Sequence, residues 1–411
     1  MNTIPMPLSR VADFENFGFG LFIHYGLYSL LEMGEKPMHF YQISAEEYKK
    51  LMPRFTAEAF SGKKLARLAK RAGMRYACLT ARHHDGFSLF DTKGLNEYDA
   101  PHSGAGRDLV ADFVEGCKSE GIVPFLYHTT LDWYDSRFKN DFPAYLEYLG
   151  ASVELLCKNY GPIGGFWFDG NWSRKDVDWK EDELYRMIRS YQPDAILINN
   201  SGMAARGAVG ASELDSVTFE NGRPEPMDRR GMPKYLAAEM CETMSDYWGY
   251  AREDCNYKSS ATLIESLCSC RKVGANYLLN VGPMGDGSVP LPQHALLEEI
   301  SLWREFSKAP LYTVKPCGIT SDGRSFGLCD GKDTYLYVYG LKRADADGMN
   351  GDTGNGVRNF YGIDKAVKSI TWLDNGESLA FVQSKDALAV TCTGFAYGKS
   401  LVVRVAKIEW A

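Results

Sequence analysis

The sequence predicts an α/β fold: an irregular (β/α)8 barrel followed by a C-terminal antiparallel β-sandwich. Three observations predict it. Apolar runs alternate with helical patterns over most of the length, which implies parallel strands joined by crossover helices. Eight strand candidates can be counted, the number that closes a barrel rather than an open sheet. From about Tyr312 the texture changes to short period-two runs between turn clusters, the pattern of an antiparallel sandwich. The expected domains are a barrel at 1–311 and a sandwich at 312–411.

The elements follow in order. Phe19–Ile23 is the first strand candidate. Leu65, Leu68, Ala69 and Ala72 fall at i, i+3, i+4 and i+7, with Ser61 placed to cap the helix and Gly73 to stop it. Arg75–Thr80 reads as a strand. Val110, Phe113, Val114 and Cys117 repeat the helical spacing and stop at Gly121, and Ile122–Tyr127 follows as a strand despite Pro124. Tyr145, Tyr148, Leu149 and Val153 precede the strand Gly165–Phe168. Leu184, Met187, Ile188 and Tyr191 precede Ala195–Ile198. Asp215–Phe219 and Ala238–Cys241 supply two more strands. Leu263, Leu267 and Cys270 mark a helix stopped by Gly274, before Tyr277–Leu279. Ser201–Tyr235 lacks a good helix, so this half of the barrel is expected to be irregular. After the amphipathic stretch Leu296–Phe306 come the alternating runs Thr334–Tyr339, Ser369–Leu373, Ala387–Cys392 and Leu401–Val405. Asp345–Gly356 is expected to be a loop among them.

Composition narrows the function. The 411 residues are 45% hydrophobic and 24% charged, which excludes disordered and fibrous classes. With 46 Lys+Arg against 53 Asp+Glu, the net charge is −7, and no basic stretch offers a footing for nucleic acid or an anionic membrane. No apolar run reaches the roughly 18–20 residues of a membrane span. Residues 1–17 lack the basic and apolar regions of a signal peptide, which gives the expectation of a cytoplasmic protein. Ten cysteines are scattered. The only close pair, Cys268 and Cys270, has no nearby histidine, so it reads as small apolar residues rather than a zinc site.

The chemistry of a parallel barrel sits at the C-terminal ends of its strands. Those ends carry His24, His83, His84 and His128, four of the chain's seven histidines, together with Asp169, Asn200, Glu220 and Glu239. Aromatic residues accompany them: Tyr25, Phe87, Trp167 and Trp248 suit the C–H faces of sugars. His83 and His84 are adjacent and no HxH or HExxH spacing occurs, so no metal site is assigned. No phosphate-binding glycine loop and no GxSxG elbow is present. Carboxylates, imidazoles and aromatic rings without a cofactor motif are the set used in glycoside hydrolysis.

Five segments carry a resemblance. GLFIHYGLYS (20–29), LAKRAGMRYACLTARHHDGFSLFDTK (68–93), YGPIGGFWFDG (160–170), AEMCETMSDYWGY (238–250) and GANYLLNVGPMGDG (274–287) resemble, in order, motifs of the α-L-fucosidases of glycoside hydrolase family 29. The resemblance implies a barrel with a C-terminal sandwich, a fucosylated glycan or glycoside as substrate, and no cofactor. It implies Asp169 as nucleophile, His24, His83 and His84 as sugar-hydroxyl binders, and Trp167 as a pocket aromatic. Tyr25, Trp248 and His128 complete the expected sugar-binding set. His128 stands where the family has a tyrosine. His39-Phe40-Tyr41 is the nearest stretch to the family's Glu-Trp-Tyr, and Arg206 is the nearest arginine after the fifth strand. DSVTFENGRP (215–224) resembles the acid/base segment, which puts Glu220 in that role. Glu213 and Glu239 stay open as alternatives, although Glu213 belongs at the wrong end of a strand running Asp215–Phe219. The reaction implied is retaining hydrolysis of α-L-fucosides. A glycosidase for another L-sugar, such as an L-galactoside, and a non-catalytic sugar-binding barrel are the alternatives.

Overall fold

A computed structural model of the protein describes residues 3–200, 211–343 and 354–411. Arg206 and most of the loop read at Asp345–Gly356 lie outside the described residues.

Eight parallel strands close a barrel in sequence order, and the last pairs with the first. They are β1 (Phe19–Ile23), β2 (Tyr76–Arg82), β3 (Val123–Thr129), β4 (Gly165–Asp169), β5 (Ile196–Asn199), β6 (Ser216–Glu220), β7 (Ala237–Glu242) and β8 (Asn276–Val281). Each strand candidate read from the sequence is present. Pro124 is accommodated in β3, where its carbonyl accepts from Gly164 N at 2.8 Å.

Local chemistry explains the helices. In helix Gly62–Ala72, Ser61 Oγ accepts the Lys64 N–H at 3.3 Å, and Gly73 ends the helix at φ 89°. This is a hydroxyl N-cap and a left-handed glycine C-terminus. Helix Leu109–Glu120 is capped by Asp108 and ended by Gly121 in the same way. The two helices touch backbone to backbone. A Cβ on Gly116 would come within 2.2 Å of Gly62 C, so neither glycine leaves room for a side chain.

Period-two alternation sorts the strand side chains. Phe22, Tyr76, Cys78, Phe125, Tyr127, Trp167, Ile198, Cys241 and Leu278 form the barrel core, with Val11 and Phe14 of the helix Ser9–Glu15 packed among them. The expected irregularity falls between β5 and β7. A single register pair, Ile198 with Ser216, joins β5 to β6, and no described residue between β5 and β7 is helical. A polar pin at the start of β6 holds this region. Buried Asp215 accepts from Arg10 Nη2 at 3.0 Å, from Leu197 N at 3.1 Å and from Arg189.

The chain divides into two compact units. The first comprises Met1–Pro224, Asp228–Lys258 and Asn276–Leu297, and holds the barrel. The second comprises Glu225–Met227, Ser259–Ala275 and Glu298–Ala411. This division is not at the 311/312 boundary suggested by the sequence texture. The end of helix Leu291–Ser307 groups with the second unit, where Trp303 Nε1 donates to Val403 O at 3.1 Å. Helix Ser260–Lys272 also belongs there. Within this unit, antiparallel sheets of four and five strands share a core that includes Leu336, Phe360, Ile370, Trp372, Leu388 and Ile408. Thr334–Tyr339 and Ala387–Cys392 are strands with the bounds read from the sequence. The last strand differs: it begins at Val403 and runs to Trp410, so Leu401 lies outside it. No helix among the described residues is long and apolar enough to cross a membrane.

Candidate active site

The C-terminal mouth of the barrel holds a pocket whose floor is Phe22 and Trp167. Each polar group in it traces to a strand end. His24 follows β1, and its parity matches the inward Phe22. Its Nδ1 lies 2.6 Å from Asn280 Oδ1, while Asn280 Nδ2 donates to Trp248 O at 2.7 Å. The amide oxygen is an acceptor, so His24 carries its proton on Nδ1 and keeps Nε2 as an acceptor. Burial pulls the His24 pKa down to about 4, so the ring is neutral. His83 and His84 leave the strand together in a turn, and both line the pocket with ring centroids 4.3 Å apart. Burial, then the charges of its neighbours, also keeps His83 neutral, and its buried Nδ1 has no protein partner.

Asp169 ends β4. Its Oδ2 accepts from Tyr127 at 3.1 Å and lies 3.3 Å from His84 Nε2, and its Oδ1 accepts from Trp172 Nε1 at 2.9 Å. Burial opposes the charge of this carboxylate, but these partners outweigh it and hold its pKa below the ordinary value. Glu220 ends β6. Burial and then the charge of Asp169 push its pKa up. One amide joins the two: Asn200 Nδ2 donates to Glu220 Oε2 at 2.7 Å and to Asp169 Oδ1 at 3.4 Å. Thr218 Oγ1 donates to Asn200 Oδ1 at 3.2 Å, which sets the amide's orientation. The two carboxylate oxygens can be no farther apart than the sum of those two bonds, about 6 Å. For that pair of oxygens the bound lies near the roughly 5–5.5 Å spacing of retaining glycosidases. A larger open cleft along Trp172, Trp179 and Arg186 adjoins the pocket through Trp172 but contains neither carboxylate of this pair.

Asp169, Glu220, His24, His83, His84, Trp167 and Trp248 therefore meet in one pocket. Four other candidates do not. His128 points out of the barrel, where Nε2 bonds Ser152 Oγ at 2.9 Å; the inward neighbour Tyr127 takes the place expected of it. Tyr25 leaves the strand on the other side, stacks on Phe60 and donates to Gly285 O at 3.1 Å. Glu213 lies beyond the N-terminal end of β6, partly exposed and 3.9 Å from Arg189. Glu239 points inward but is sealed beneath the floor, accepting from Trp167 Nε1 at 2.9 Å and from Tyr76. Sequence reasoning missed Tyr127, Trp172 and Lys36, and placed Asn200 at a strand end without giving it a role; all four line the pocket. Strand parity was the available signal for Tyr127. No periodic signal reaches Lys36, just before the short helix Pro37–Phe40, or Trp172, in the single 3-10 turn Asn171–Ser173.

Comparison with known proteins places this geometry. The family model described as alpha-L-fucosidase matches residues 9–308. The chain belongs to the α-L-fucosidase family. It is thus a glycoside hydrolase of the group the motifs resemble. Among curated relatives of this α-L-fucosidase family member, the tissue alpha-L-fucosidase of Bos taurus is 28% identical over 355 residues, covering 79% of this chain and 73% of that one. The Homo sapiens tissue alpha-L-fucosidase is 26% identical, covering 77% and 71%. Among solved structures, alpha-L-fucosidase isoenzyme 1 from Paenibacillus thiaminolyticus superposes with a TM-score of 0.84 at 28% identity, covering 98% of this chain and 99% of that one.

Proposed function

We propose that this protein removes terminal α-L-fucosyl residues from glycans or glycosides with retention of configuration. Asp169 is the nucleophile and Glu220 the acid/base. The shared hydrogen bonds from Asn200 carry the reading, because they hold the two carboxylates within the reach a covalent mechanism needs.

The electrostatics support this division of labour. Asp169 is kept ionised by its donors and can attack the anomeric carbon as the glycosidic C–O bond breaks. Glu220, with its raised pKa, delivers its proton to the departing oxygen. Once Asp169 is esterified its negative charge is gone, and with it one of the three influences, after burial and beside Glu35, that raised the Glu220 pKa. Glu220 then takes a proton from water as the water attacks the same carbon and releases Asp169. His24 Nε2 is free to bond a sugar hydroxyl, His83 and His84 line the same pocket, and Trp167 and Trp248 offer apolar faces.

The test is hydrolysis of an aryl α-L-fucoside, with the L-galactoside and the β-linked fucoside as comparisons, and the product anomer read by NMR. Asp169→Asn should lose several powers of ten in turnover with unchanged circular dichroism. Glu220→Ala should hurt poor leaving groups most, and azide should restore turnover as a glycosyl azide of retained configuration. An inverted product overturns the two-step mechanism. Faster cleavage of the L-galactoside transfers the specificity to that sugar.

A further inference from the structure

Among the described residues lining the pocket, Lys36 is the sole lysine or arginine. It lies between β1 and the short helix Pro37–Phe40. Its neighbour Glu35 is buried and holds two loops together. Glu35 Oε2 accepts the N–H groups of Trp248 at 3.0 Å and Gly249 at 3.1 Å, while Oε1 lies 3.4 Å from Lys36 Nζ. One carboxylate therefore fixes the Trp248 wall and tethers the lysine beside it.

An ammonium has three donors and no acceptor. One faces Glu35, which leaves two. The Lys36 charge bears on His24, His83 and Glu220, which stand at three different strand ends around the pocket. The surrounding charges select the ligand. Glu35 already neutralises Lys36, and the ionised Asp169 repels a second anion, so the pocket favours an uncharged sugar. A sugar hydroxyl needs one acceptor and one donor. His24 keeps an acceptor nitrogen, and Lys36 brings donors.

We propose that Lys36 recognises the glycone: tethered by Glu35, its ammonium donates its remaining N–H groups to hydroxyl oxygens of a neutral pyranose in the pocket. The proposal rests on the α-L-fucosidase reading above and assigns Lys36 a part in choosing the sugar.

The experiment is calorimetric titration of wild type, Lys36→Met and Lys36→Arg with L-fucose, its 2-, 3- and 4-deoxy forms and a fucose sulfate, alongside aryl fucoside kinetics. Loss of a hydrogen bond from a charged donor should weaken L-fucose binding about tenfold or more in Lys36→Met, with a smaller loss in Lys36→Arg. For each deoxy sugar that lacks a contacted hydroxyl, the gap between wild type and Lys36→Met should be smaller than for L-fucose, by about fivefold or more. A thermal melt matching wild type certifies the fold of the variants. Undiminished L-fucose binding by Lys36→Met overturns the proposal, as does an equal loss across all the sugars. Lys36-dependent preference for the sulfate overturns the choice of a neutral ligand. Wild type that neither binds nor cleaves fucosides overturns the underlying fucosidase reading instead. L-galactose and its deoxy forms then replace the fucose series, and the same criteria decide on Lys36; binding of neither sugar overturns both.

Discussion

Asn200 ties the two carboxylates of the pocket together through one amide. Its N–H groups favour the charged forms of both carboxylates, yet only Glu220 sits with a raised pKa, because burial and the Asp169 charge outweigh one hydrogen bond there. Asn200→Ala removes a donor that lowers the Glu220 pKa. The alkaline limb of kcat/KM should move to higher pH, with turnover reduced about tenfold. A pH profile superimposable on wild type would refute this electrostatic role. Glu239 is a contrasting carboxyl. Burial raises its pKa to about 7 against the lowering influence of Tyr76 and Trp167. The folded state then holds a proton that the unfolded chain, with an ordinary glutamate pKa, has lost. This contribution to stability is full below the ordinary value and disappears as pH rises through about 7. Glu239→Gln, neutral throughout, should therefore flatten the fall in thermal midpoint from about pH 5 to about pH 8. An unchanged slope would place the titration elsewhere.

At the scale of the element, β3 shows how one residue of parity decides a role. Its register pairs Tyr127 with Trp167, His128 with Phe168 and Thr129 with Asp169. Tyr127 shares the inward face with Trp167, and His128 shares the outward face with Phe168. Tyr127→Phe should lower turnover about tenfold, since it removes a donor to Asp169 and lets that carboxyl pKa rise. His128→Ala should leave KM within about twofold while costing about 2 kcal/mol of stability through the lost Ser152 bond and the cavity it leaves. Steady-state kinetics and chemical denaturation on the two variants separate these outcomes. A catalytic loss confined to His128→Ala would reverse the assignment.

Over the whole molecule, the described chemistry resides in the first compact unit, and the second is built on its own core. Trp372 is nearly inaccessible there, with its N–H on Thr393 Oγ1 at 2.8 Å and the Arg404 guanidinium 4.3 Å from its ring centroid. Trp372→Ala should cost about 3–5 kcal/mol of stability. Hydrolysis by the folded fraction should stay near the wild-type rate, and denaturation followed beside initial rates checks both. A loss of kcat at full folding would mean that the second unit contributes to the reaction.

Element order, the cap at Ser61 and the glycine stops at Gly73 and Gly121 were legible in the sequence, because they depend on residues within a turn of one another. So were the strand ends that carry Asp169 and Glu220, since period-two and 3.6-residue patterns are local. Tertiary structure decided what distance along the chain conceals. It sent Tyr25 and His128 away from the pocket and sealed Glu239 under Trp167, whereas the place of Glu213 before the start of β6 was already legible in the strand bounds. It also drew Lys36, Tyr127, Trp172 and Asn200 around the two carboxylates. The direction of a side chain follows from strand register and loop path, and those are set by packing between segments tens to hundreds of residues apart. Glu35 and Trp248 illustrate it: two loops become one wall through a carboxylate and two backbone N–H groups. No local pattern records a bond of that kind.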